Sequence, residues 1–150
     1  MTPICAMRLG ELRVDFMPDN EDILNFGNCW YQMAWETADD YPITEETSIR
    51  LVKPVYFVAT KLQAYLGRGN NDPLASRDIE DILNIFDGRR EITNEILDAS
   101  PELVQFIAKQ ISSLLTDASF VYAVQSASLN DSGREELIYK RLEEIAKVSE

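Results

Sequence analysis

Pro54-Val55-Tyr56-Phe57-Val58-Ala59-Thr60-Lys61-Leu62-Gln63-Ala64-Tyr65-Leu66, then Gly67-Arg68-Gly69-Asn70-Asn71, then Asp72-Pro73-Leu74, is the stretch that decides the fold. Proline suits the first turn of a helix, where a backbone N–H has no intrahelical partner to lose. After Pro54, the apolar positions Val55, Val58, Leu62, Tyr65 and Leu66 fall on one face of a 3.6-residue repeat, which predicts an amphipathic helix. The two glycines and two asparagines break it. Asp72-Pro73 reads as a cap and start for a second helix with the stripe Leu74, Ile79, Ile82, Leu83 and Phe86, ending at Gly88 as a left-handed cap.

The helical period continues downstream. A short helix is expected near Glu91–Ala99. Ser100-Pro101 opens another with Leu103, Val104, Ile107, Ile111, Leu114 and Leu115 inside. Asp117 to about Leu129 presents Phe120, Val121 and Val124, and a last helix after Asn130–Gly133 presents Leu137, Ile138, Leu142 and Ile145. Upstream the period changes to two. Leu12, Val14 and Phe16 alternate with Arg13, Asp15 and Met17 before Pro18, the pattern of a half-buried strand. Ser48–Lys53 is a second strand stopped by Pro54, and the aromatic stretch Ile23–Tyr41 reads as a loop with a short helix or strand. Strands first and helices afterwards predict one α+β domain, with a small sheet and aromatic part over 1–53 and a helical bundle over 54–150.

Composition sets the chemistry. The 150 residues are 45% hydrophobic, enough for a core without disulfide or metal staples. No apolar run is long enough for a membrane span, and the opening residues lack a secretory pattern. With no histidine and two cysteines, Ser-His-Asp and Cys-His triads and a four-cysteine zinc site are excluded, and the cysteine usage suits the cytoplasm. The net charge of −12 opposes unaided binding to nucleic acid. It is unevenly spread. Residues 50–90 hold 7 of the 14 basic residues and are net positive, so an anion would be met there.

Within that stretch Lys61 and Arg68 lie two helical turns apart, and Asp78 and Asp81 share one side of the next helix with Arg77 nearby. If the two helices form an antiparallel hairpin, Lys61, Arg68, Arg77, Asp78 and Asp81 converge. Two plainer explanations stand beside a functional one. Arg77–Asp81 is also the spacing of an ordinary helical ion pair, and Lys61 that of a side chain snorkelling past an apolar face.

The run Tyr56–Gly69 followed by Ser76-Arg77-Asp78-Ile79-Glu80-Asp81-Ile82 resembles the Lys…Arg…Arg-Asp-x-x-Asp signature of the AbiEii-like branch of the nucleotidyltransferase-fold proteins, toxins of toxin–antitoxin and phage-abortive systems. Val14-Asp15-Phe16-Met17-Pro18, Phe26-Gly27-Asn28-Cys29-Trp30-Tyr31 and Ile49-Arg50-Leu51-Val52 resemble it in order and spacing, so the likeness spans most of 12–90. It implies a small mixed sheet holding three carboxylates that bind Mg²⁺ and direct an NTP to a hydroxyl acceptor, an RNA or a protein side chain. On that mapping Asp15 is the third carboxylate, a metal ligand or general base. Lys61 meets the phosphates, Asp78 orients Lys61 or the acceptor, Arg68 and Arg77 add positive potential, and Asp81 supports them. The family's Gly-Gly-Ser turn and Asp-x-Asp pair are not found before Asp15, so the sheet is expected to be truncated at its N-terminus and the chain catalytically incomplete. The alternative is a non-catalytic module that binds itself or an antitoxin-type protein, with Trp30–Trp35 either at that contact or buried in the chain's own core.

Overall fold

A computed structural model describes residues 6–15, 28–68 and 71–149. Phe16–Pro18, Phe26-Gly27 and Gly69-Asn70, which entered the reading above, lie outside the described residues. The architecture is mixed α+β, with two small antiparallel sheets and a helical C-terminal part.

Strands β1 (Ala6–Leu9) and β2 (Leu12–Asp15) form a hairpin with Ala6 opposite Asp15 and Leu9 opposite Leu12. Gly10 turns it with a φ of +62°, a conformation in which a Cβ would be strained. Strands β3 (Asp39–Pro42) and β4 (Ser48–Leu51) form a second hairpin, with Tyr41 opposite Ile49. Between the hairpins, α1 (Tyr31–Glu36) is a short helix.

The helical part comprises α2 (Pro54–Arg68), α3 (Arg77–Gly88), α4 (Ile92–Leu97), α5 (Pro101–Leu115), α6 (Phe120–Ala127) and α7 (Ser132–Ala146), closed by a 3-10 turn at Lys147–Ser149. Helix α2 packs on α3 and α5, α3 also on α6 and α7, and α5 on α7. Their stripes meet in one core around Leu62, Ile79, Leu83, Phe86, Ile107 and Ile138. Each such side chain contributes about 1.5–3 kcal/mol relative to leaving it in water.

Several expectations are corrected. The sheet is not a single mixed one among the described residues: each four-residue strand pairs only with its sequence neighbour. The strand at Leu12 has no buried face, because Leu12 is exposed and Val14 only half-buried, and its partner β1 carried no alternation to announce it. Strand β4 stops at Leu51, short of Val52 and Lys53. Helix α3 begins four residues after Pro73. Asp72 accepts from the Leu74 and Ala75 N–H groups, both at 3.1 Å, and so holds a separate turn. Ser76 is the true cap, its Oγ accepting from the Ile79 N–H at 3.4 Å. Leu74 is therefore exposed rather than on the stripe. Gly88 is the last helical residue and is not left-handed; the chain leaves through Arg89 in extended conformation. Leu66, Val121 and Leu137 sit on the rims of their stripes and are exposed.

Candidate functional site

Pairing order reveals how α2 and α3 meet. Lys61, at the middle of α2, reaches Asp81, just over one turn into α3, while Arg68, at the end of α2, reaches Asp78, the second residue of α3. The helices therefore run antiparallel across the 69–76 link, bringing four of the five expected residues together. Lys61 Nζ donates to Asp81 Oδ2 at 2.5 Å and to Asp78 Oδ1 at 3.3 Å. Arg68 grips Asp78 in a fork, Nε to Oδ2 at 2.9 Å and Nη2 to Oδ1 at 2.8 Å. Planar guanidinium and carboxylate match in this geometry, which makes it among the stronger ion pairs. Lys61 Nζ also lies 5.5 Å from the centre of the Phe57 ring.

Burial is graded across the cluster. The Asp78 side chain is 6% exposed, Lys61 25%, Asp81 42% and Arg68 68%. Burial alone would push the Asp78 carboxyl up. The fork from Arg68, its charge and then Lys61 outweigh that and hold Asp78 below the usual carboxylate range. Burial likewise works against the Lys61 ammonium, but the Asp81 hydrogen bond and the charges of Asp81 and Asp78 hold it above the usual lysine value. The Asp78 fork raises Arg68 despite some burial. Lys61, Arg68 and Asp78 are thus charged at neutral pH, and the cluster sets two basic side chains against two acidic ones.

Arg77 is not part of it. It occupies the first position of α3, exposed, and Asp81 pairs with Lys61 in its place. Asp15 ends β2, but its carboxylate is outside the described side chains. Among the described residues no group of three or more Cys, Asp or Glu is arranged to hold a metal. Asp78 and Asp81 are committed to cations, so they do not fit a Mg²⁺ site, and no step is derived through that ion. Their accepted bonds still leave donors over. Lys61 uses two of its three N–H groups and Arg68 two of its five, and the rest remain for an anion approaching from solvent.

The aromatic stretch divides. Trp30 is buried against Phe106, ring centres 5.2 Å apart, whereas Trp35 is exposed beneath the Arg50 guanidinium at 4.9 Å. Sequence reasoning missed the clamps on α3's far end. Arg134 pairs with Asp87, and Arg141 donates to the Phe86 and Asp87 carbonyls. Their partners lie 47–55 residues away, and no local pattern signals them.

Comparison with known protein families, curated proteins and solved structures gives no match.

Proposed function

We propose that this chain is a nucleotidyltransferase-fold, toxin-type protein whose described part supplies the phosphate-facing cations of the site, and which by itself does not transfer a nucleotide. The complete reaction would join the α-phosphate of an NTP to an acceptor hydroxyl and release pyrophosphate. One observation carries the reading: Lys61 and Arg68, separated along α2, are held side by side on Asp78 with unused donors toward solvent. Fixed cations of this kind orient a triphosphate and stabilise its charge. The nucleotidyltransferase-type fold and the carboxylates for Mg²⁺, Asp15 among them, belong to the same proposal. The test is equilibrium binding of ATP, CTP, GTP and UTP with Mg²⁺, followed by amide NMR. Perturbation is expected around Lys61 and Arg68 and lost in Lys61→Ala, with circular dichroism confirming an intact bundle. Nucleotide that leaves the spectrum unchanged at millimolar concentration sinks the proposal.

A second reading has its own observation. Met7, Leu9 and Leu12 on the first hairpin, and Tyr41, Ile43, Ile49 and Leu51 on the second, are all exposed. Short hairpins gain little stability alone, and exposed apolar faces of this kind favour association with a second copy or an antitoxin-type protein. Light scattering behind a sizing column tests the self-association arm. A single monomeric mass at every concentration counts against it. No helix among the described residues is long and apolar enough to cross a membrane.

A further inference from the structure

The two hairpins have complementary faces. Strand alternation puts Met7, Leu9, Leu12 and Val14 on one face of the first, with Arg8 and Arg13 on the other. On the second, Tyr41, Ile49 and Leu51 share a face, and Asp40 and Arg50 lie opposite. Each charged face is unbalanced. Arg8 stands directly across from Arg13, a like-charge pair that costs stability, and has no carboxylate partner among the described residues. Arg50 stands across from Asp40 but is turned to the Trp35 ring and to the Glu36 and Ala38 carbonyls. The Asp40 carboxylate is thus left without a cation among the described residues.

The backbone puts both unbalanced residues at open edges. Antiparallel pairs alternate between those that exchange hydrogen bonds and those whose N–H and C=O point away from the partner strand. The Ile43 N–H donates to the Thr47 carbonyl at 2.8 Å, which makes Tyr41–Ile49 a bonded pair and turns Asp40 outward. Leu9 and Leu12 flank a two-residue turn, the place of a bonded pair, so Arg8 also points outward. Neither β1 nor β3 pairs with a second strand among the described residues. An edge of this kind is a template for another strand.

We propose that β1 of one copy adds antiparallel to β3 of a second copy, with Arg8 opposite Asp40. The two residues exchange their outward backbone hydrogen bonds, the guanidinium meets the carboxylate, and Met7 falls beside Tyr41 on the apolar side. Four strands with a common apolar face hold together where two do not. The contact joins two different surfaces, so a dimer makes it twice, reciprocally. The inference rests on the self-association reading above and names the surfaces that produce it.

Sedimentation equilibrium of the whole chain, of Arg8→Glu, of Asp40→Lys and of an equimolar mixture of the two variants tests it. Both positions are exposed and outside the helical core, and circular dichroism checks that the bundle is intact. The unaltered chain should dimerise. Each variant alone sets like charges at both contacts and should dissociate at least about tenfold more readily. In the mixed dimer opposite charges face each other at both contacts, so the affinity of the unaltered chain should return. General repulsion between chains of net charge −12 predicts the reverse for Asp40→Lys, which makes the chain less acidic. A chain that stays monomeric at every concentration overturns the self-association reading together with this one. A dimer that Asp40→Lys leaves intact or tightens, or a mixture that associates no better than its components, overturns the strand pairing alone.

Discussion

Replacing Asp78 by asparagine tests whether the charge cluster holds α2 against α3. The substitution keeps the shape but removes the charge that Arg68 grips at 2.8 and 2.9 Å and Lys61 meets at 3.3 Å. A fully buried pair broken on one side costs about 3–5 kcal/mol, and a fully exposed one less than about 1 kcal/mol. Asp78 is buried, Lys61 mostly so, and Arg68 is two-thirds exposed, so solvent screening discounts the fork. Asp78 also lies in the first turn of α3, where a carboxylate meets the positive end of the helix dipole. The result is a cost of about 2 kcal/mol at pH 7, a fall of roughly 4–8 °C in Tm for a chain of this size.

The pH dependence adds a sharper test. The folded pKa of Asp78 lies below its unfolded value, so its stabilisation is fully present above the unfolded pKa and is lost as pH falls through the folded one. Lys61 is shifted upward, so its share is complete below the unfolded lysine pKa and is lost only as pH rises through the folded value. Urea denaturation of both proteins should therefore show a constant gap from about pH 5 to 9 that closes below about pH 4. A gap under about 0.5 kcal/mol at pH 7, or one that persists unchanged in acid, would refute the role given to Asp78.

Three other substitutions have defined outcomes. Leu129 is 77% exposed and has a φ of +56° in the α6–α7 link, so Leu129→Gly should relieve backbone strain and raise stability by about 0.5–1 kcal/mol in thermal denaturation. Arg141→Met keeps the aliphatic stem but removes the donors to the Phe86 and Asp87 carbonyls at the end of α3, which should cost about 1 kcal/mol and speed amide exchange there. Phe86, fully buried where α3 enters the core, should cost about 3–5 kcal/mol as Phe86→Ala, measured by urea titration.

The bundle was legible because its stripes repeat every 3.6 residues and its breaks hold Gly, Asn and Pro. Where the start of α3 was misplaced, two capping residues compete: Asp72 and Ser76 each cap a turn, and only the packing of Ile79 decides which turn continues as the helix. The charge cluster was legible in its members because Lys61 and Arg68 share a face and Asp78 and Asp81 share another. Arg77 was miscast because its partner four residues on, Asp81, is taken by Lys61 from the neighbouring helix, a tertiary contact that outcompetes the local pair. The first hairpin was half-hidden, since neither of its strands buries a face and period-two alternation signals only burial on one side.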